Sequence, residues 1–246
     1  MSALLRLPLI FLSLLLLWTL IVFIFNLPDF ILPYPNKVAL TFSSHQSLLL
    51  SNLWPTLLET GLGFIMGVCF ACIAALVMAH SKLLHHWFFP ILVTSQAIPT
   101  FAIAPLFIIW FGYGISAKIM ITVMMIFFPV TANFYDGLCA TPQAWLDLAK
   151  IQHATKAQTL WKIKLPAALP RLGSGLRIAA VLAPIGAIVG EWVGASEGLG
   201  YLMQIANARL ETDLLFACLV LLTLLSLLLY YGVDLIVKRF IFWENK

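Results

Sequence analysis

Ionisable and nucleophilic residues are scarce in this chain, so each group that could do chemistry can be weighed by itself. Cys69 and Cys72 form a C-x-x-C, a spacing that in a soluble protein suits a dithiol couple or half of a metal site. Both fall inside an apolar run without a nearby His or carboxylate, which favours two small side chains in a helix. His80, His85 and His86 follow at the end of that run. They could ligate a metal, but no acidic or thiol partner lies close in sequence, and a solvated turn is the better reading. Glu191 lies in apolar surroundings, where an ionised group is expensive and tends to be functional. Lining a pathway, pairing with a base and reaching interfacial water all remain open for it; Glu59, nearer water at the start of its run, has the weaker claim. The densest polar feature is Thr141 to Arg177, which holds six of the fourteen Lys and Arg residues: Lys150, Lys156, Lys162, Lys164, Arg171 and Arg177. That is a surface for binding, not for catalysis. No paired acids, Ser-His-Asp set or metal cluster falls at a common depth, and no G-x-x-x-x-G-K-[ST] loop is present to cradle a phosphate.

The elements that must position these residues follow from composition. With 62% hydrophobic and 10% charged residues and a mean hydropathy of +1.02, the chain departs strongly from soluble domains, whose charged fraction is about 25%. It belongs in a bilayer. Apolar runs of roughly 20 residues can each cross the hydrocarbon as a helix. Six occur, at residues 7–27, 56–79, 88–111, 117–138, 174–193 and 214–237. The fold class is therefore all-α, a polytopic membrane helix bundle forming one domain over residues 1–246. Lys and Arg near span ends favour the cytoplasm. An internal N-terminus assigns Arg6, Lys82, the six basic residues of the loop, Lys238, Arg239 and Lys246 inside, leaving Lys37, Lys118 and Arg209 outside, eleven against three. Both termini and the 141–172 loop are thus expected in the cytoplasm. The first run lacks a small-residue cleavage site and reads as a retained helix.

Small residues in the second run, Gly63, Gly67, Ala71, Ala75 and Ala79, recur every fourth position. The fifth run repeats the device with Gly175, Ala179, Ala183, Gly186, Gly190 and Gly194. Such seams let helix backbones approach closely where lipid supplies little hydrophobic drive, so these two runs belong inside the bundle. The Leu-rich sixth run belongs mainly against lipid. Pro99, Pro105, Pro129 and Pro184 each remove a backbone hydrogen bond within a run and favour a kink. The segment 28–55, with Leu32-Pro33-Tyr34-Pro35 and Pro55, is expected to be extended and turn-rich.

In the basic loop, Thr141-Pro142 reads as an N-cap with proline at the first helical position. Trp145, Leu148 and Ala149 then share one side at helical spacing. Thr155-Lys156-Ala157-Gln158 fits a capping box, so a second helix should run to about Leu165, where Pro166 interferes. Helix, tight turn, helix is the expected arrangement. Its lysines could meet an acidic partner or the anionic inner leaflet, which attracts each by about 1 kcal/mol.

Asp147-Leu148-Ala149, His153 and Ile163-Lys164-Leu165-Pro166 resemble the "EAA" loop of permease subunits of bacterial ATP-binding-cassette importers. Asp147 stands where the family has Glu and Leu148 where it has the first Ala. His153 replaces the usual glycine, and it is expected to adopt a left-handed conformation between the two short helices. Further likeness lies in Leu165 to Pro170 with Gly175-Leu176-Arg177, in Ala97-Ile98-Pro99, in Trp110 to Gly114, in Gly190 to Ser196 and in Gly198 to Tyr201. The resemblance spans about residues 30 to 240, with the last block most similar to permeases for the pyrimidine precursor of thiamine.

The resemblance implies a type I importer permease with a cytosolic coupling loop and a translocation pathway for solute. It implies ATPase-coupling residues Asp147, Leu148, Ala149, His153, Ala154, Ile163, Leu165 and Pro166, and pathway residues Glu191, Trp192, Gln96 and Pro99. It also implies cytosolic ATP-binding subunits, a second permease subunit in a homodimer, an external substrate-binding protein and surrounding lipid, with no nucleic acid. ATP and Mg2+ would sit on the partner, and this chain would hold no cofactor and no metal. An alkanesulfonate, taurine or nitrate-type solute is the alternative cargo. An ion-coupled carrier is the alternative class, against which stand the six runs and the lack of a convincing repeat between halves.

Overall fold

A computed structural model describes residues 3–241 and 243 of the chain. The expected internal placement of Lys246, and of the two chain ends, lies outside the described residues. Eleven α-helices follow one another, and no strand occurs among the described residues. They are α1 (Ala3–Phe25), α2 (Pro35–Ser44), α3 (Gln46–His80), α4 (Lys82–Ala97), α5 (Thr100–Phe111), α6 (Ile115–Cys139), α7 (Gln143–Ile151), α8 (Lys156–Thr159), α9 (Leu165–Gly194), α10 (Leu199–Ala208) and α11 (Thr212–Phe240). A π-helical turn, Leu160–Lys164, joins α8 to α9.

Four continuous helical runs are long and apolar enough to cross a membrane: α3, α6, Lys156–Gly194 and α11. The expected third crossing, residues 88–111, is instead two helices, α4 and α5, meeting at 105°. The break has a local cause. Pro99 stands at the N-cap of α5 and Ile98 before it is extended, at φ −88° and ψ 121°, because a proline pushes its predecessor out of the helical region. The first helix, α1, runs for 23 residues, Ala3–Phe25, and is apolar over Leu12–Phe25. The six expected runs are thus four through-going helices, a broken pair and α1.

The segment 28–55 also departs from expectation, being largely helical. Pro35 opens α2 at a position where its missing N–H has no intrahelical role. The next helix, α3, begins ten residues before the expected Thr56 and carries Pro55 inside it.

At the centre stands α6, sandwiched between α3 and α9. The small-residue seams make this possible. A Cβ built at Gly63 would lie 2.5 Å from Thr122 Cγ2, and one at Gly186 would lie 2.8 Å from the Thr122 Cα. Ala71, Ala179 and Ala183 are completely buried with Ile126 and Val130 between them. Dispersion between closely approaching backbones therefore holds three helices where hydrophobic driving force is weak. As expected, α11 turns much of its surface outward, with Leu224, Leu228 and Leu235 exposed. Its inner side packs Val233 and Val237 against Ala180 of α9, and Asp234 adds one ion pair across to Arg177 of α9 and another within α11 to Lys238. Arg177 Nε lies 2.8 Å from Asp234 Oδ1, and Lys238 Nζ lies 2.7 Å from Asp234 Oδ2.

Candidate functional site

Two regions at opposite ends of α6 concentrate the polar chemistry. The first is the loop between α6 and α9. Its entry differs from expectation: Pro142, not Thr141, is the N-cap of α7, and no side chain caps that helix. Thr141 turns back and donates to the Leu138 carbonyl at 3.4 Å. In α7, Asp147 accepts from Lys150 Nζ at 2.9 Å and Gln143 Nε2 at 3.0 Å. The Lys150 bond, then the Gln143 bond, holds the Asp147 carboxyl below its usual pKa. Its side chain is exposed, so the pair orders the helix surface without anchoring it.

The turn after α7 is made by His153 at φ 53°. His is one of the few non-glycine types enriched at such angles. Around it, His153 N–H donates to the Lys150 carbonyl and Ala154 N–H to the Ala149 carbonyl, at 3.0 and 2.9 Å, closing α7. The next helix opens on the expected capping box. Thr155 Oγ1 accepts from Gln158 N–H at 3.2 Å, and Thr155 N–H donates to Gln158 Oε1 at 2.8 Å. Pro166 does not end this helix, contrary to expectation. The widened turn at 160–164 precedes it, with Leu165 N–H bonding the Leu160 carbonyl, and the helical run continues from Lys156 to Gly194. A π turn shifts the hydrogen-bond register, which lets a residue with no N–H follow directly. The second half of the loop and the crossing behind it are consequently one rod, Lys156–Gly194.

Of the residues expected on one side of α7, only Ala149 is buried. Trp145 and Leu148 are 51% and 55% exposed. They line a cleft of about 480 Å³ with Ile163 and Pro166. Ile151 and Trp161, further along, are 75% and 60% exposed. The structure thus gathers Leu148, Ile163 and Pro166 on one surface, while Asp147 and His153 shape the helices carrying it.

At the other end of α6, the pathway candidates separate. Gln96 and Pro99 are exposed at the α4–α5 break. Trp192 is partly exposed and meets Phe101 edge-on at 6.3 Å, which brings it beside that break. Glu191 does not join them: it points inward and is 1% exposed. Its Oε1 accepts from Thr56 Oγ1 and its Oε2 from Gly200 N–H. The Thr56 hydroxyl accepts from Leu199 N–H at 2.8 Å, and Asn52 Oδ1 accepts from Gly198 N–H at 2.9 Å. Three side chains therefore satisfy the first backbone N–H groups of α10, an arrangement suited to a carboxylate at a helix N-terminus. Gly198, at φ 113°, is the N-cap of α10. A Cβ there would sit 2.3 Å from the Glu191 Cδ, so only glycine admits the carboxylate.

Sequence reading overlooked Lys118, which it counted only as an external basic residue at the start of its run, and undervalued Glu59. Lys118 Nζ and Glu59 Oε1 are 2.7 Å apart with side chains 8% and 2% exposed. The available signal was an acid and a base, each just inside an apolar run. Asn52 and Thr56 gave no signal of their own. His85 stacks on Tyr135, ring centroids 4.5 Å apart and 9° from parallel, so an aromatic contact fixes that ring.

Comparisons with known proteins agree on a family. A family model described as binding-protein-dependent transport system inner membrane component matches residues 67–242. The chain is 51% identical to a probable ABC transporter permease protein of Haemophilus influenzae, over 93% of each chain. It is 35% identical to the formylaminopyrimidine transport permease protein of Halalkalibacterium halodurans, over 97% of this chain and 95% of that one. Among solved structures, the inward-facing MetNI methionine ABC transporter superposes with a TM-score of 0.69 at 22% identity, covering 80% of this chain and 97% of that one.

Proposed function

The chain belongs to the family of binding-protein-dependent transport system inner membrane components, and from that premise we propose that it carries a pyrimidine precursor of thiamine across the membrane as one half of a homodimeric pore. It is a permease subunit of an ABC importer and a multi-pass protein of the inner membrane. Hydrolysis is the work of a separate ATPase, and the family operates with a substrate-binding partner. The substrate reading is supported by the 35% identical relative that transports formylaminopyrimidine.

The observation carrying the coupling reading is the exposed apolar face of Trp145, Leu148 and Ile151 on a loop outside the bundle. A short helix with such a face can lie in a groove on a partner. The partner is the ATPase, which holds the ATP and Mg2+. Asp147, Ala149, His153 and Ala154 fix the shape of the docking helix. Ile163, Leu165 and Pro166 form the start of the rod that receives its motion. Closure of two ATPases draws two such rods together, and the broken α4–α5 pair, with Gln96, Pro99 and Trp192, lines the path that opens. The loop faces the cytoplasm, as do both termini. The excess of Lys and Arg at that end supports this orientation.

Uptake into proteoliposomes containing the permease, ATPase and external binding protein tests the reading. ATP-dependent accumulation of a radiolabelled aminopyrimidine, abolished by Leu148→Asp, is the expected result. Accumulation without the ATPase overturns the coupling, and accumulation of taurine in place of the aminopyrimidine overturns the substrate.

A further inference from the structure

Beside the buried Lys118–Glu59 pair, a cavity of about 400 Å³ opens at the end of the bundle away from the coupling loop. That volume suits a small solute. Trp54 and Glu59 of α3, Tyr113 before α6, Lys118 of α6 and Glu197 of the α9–α10 turn line it. We propose that this cavity is a binding subsite for an amino-bearing nitrogen heterocycle, holding the ring against Trp54 and Tyr113 and its amino group on Glu59 and Glu197. The proposal rests on the permease reading and adds where in this chain, and by what chemistry, the solute is recognised.

Three observations support it. Glu59 is 1% exposed, yet its Oε2 is a buried oxygen with no hydrogen-bond partner. A buried acceptor left unpaired is costly unless something supplies a donor; the Glu191 carboxyl lies beside it, and a solute amino group in the cavity supplies a donor without a proton shared between two acids. Trp54 and Tyr113 line the cavity and are 60% and 79% exposed, which leaves ring surface open to a flat partner. Aromatic faces also attract an amino cation. Finally, Ser51 lines the cavity, and its hydroxyl, which donates to the Leu48 carbonyl at 2.9 Å, keeps its oxygen as a further acceptor. Cations for an anion are scarce by comparison. The lining has one ammonium, Lys118, and it is already committed to Glu59 at 2.7 Å, while two carboxyl groups face the space. A sulfonate would therefore meet carboxylates without a free cation, whereas an aminopyrimidine meets acceptors.

Equilibrium dialysis of the full-length permease in lipid nanodiscs, with 4-aminopyrimidine and with taurine as probes, tests this. The expected result is saturable binding of 4-aminopyrimidine and none of taurine. Glu197→Gln and Trp54→Ala, both at exposed positions, should each weaken binding at least about fivefold with unchanged thermal stability. Glu59→Gln should weaken it further. Absence of saturable binding, equal binding of taurine, or unchanged affinity in both exposed variants overturns the proposal. Full-rate, ATP-driven uptake of the aminopyrimidine by the Glu197→Gln and Trp54→Ala importers would remove the subsite while leaving the transport function standing. Failure of the wild-type importer to move the aminopyrimidine at all would remove the substrate reading itself.

Discussion

Replacing Glu191 with Gln keeps the side-chain shape and removes the charge, so it isolates the clamp on the start of α10. The carboxylate accepts one bond from Thr56 and one from Gly200. An amide has only one acceptor oxygen. If that oxygen keeps Thr56, the amide N–H2 faces the Gly200 N–H and two donors confront each other. A hydrogen bond to a charged group is worth about 1.5–3 kcal/mol, and a stranded buried N–H costs about 1–3 kcal/mol. Allowing the turn to relax, the net loss should be ~2–4 kcal/mol. At about 2–4 °C per kcal/mol for a chain of this size, the midpoint should fall by roughly 4–16 °C. Cys218 offers a direct assay, because it is completely buried in a cluster with Leu199 and Leu202 of α10. With Cys69, Cys72 and Cys139 replaced by Ala, a thiol-reactive dye labels Cys218 only when that cluster opens on heating. Thr56→Val in the same background should show a coupling with Glu191→Gln of about 0.5–3 kcal/mol. An unchanged midpoint together with unchanged transport would refute the clamp.

Other expectations follow from the same geometry. Gly186→Ala should destabilise the bundle, because its Cβ would meet the Thr122 backbone at 2.8 Å, whereas Gly61→Ala, with nothing within 4 Å, should be neutral or slightly stabilising; thermal midpoints of the two variants give the comparison. His153→Pro should abolish ATPase stimulation, since proline cannot adopt φ 53° or donate to Lys150. His153→Gly should preserve it within about twofold, because glycine adopts that angle freely. The Asp147 carboxyl, depressed by Lys150 and Gln143, should titrate below the ordinary aspartate value in a carboxyl-carbon NMR experiment on the whole protein and return toward it in Lys150→Ala. Because the folded value is the lower one, the support this group lends α7 is complete above the unfolded value and is lost as pH falls through the folded one.

The capping box at Thr155 was readable because it depends on residues within a few positions of one another, whereas the left-handed turn at His153 was expected only from the resemblance, in which glycine stands at that position. The seams of α3 and α9 were equally legible, since a stripe of small residues every fourth position implies a close neighbour whichever helix supplies it. Proline was the ambiguous signal. Pro105, Pro129 and Pro184 lie within uninterrupted helices, while Pro99 marks a 105° break. Pro166 is passed by a π turn. What separates these cases is whether neighbouring helices and hydrogen-bond register can accommodate the missing N–H, which no local pattern contains.

Composition and periodicity alone determined that this is a membrane helix bundle with a basic, doubly helical loop, because the bilayer demands long apolar helices and caps act over one turn. The partners of Glu191 and Lys118 were decided only by tertiary structure. Thr56 lies 135 positions from Glu191, and Glu59 lies 59 from Lys118. Their meeting depends on the rotation and axial register of α3, α6 and α9, and close packing of their seams sets both.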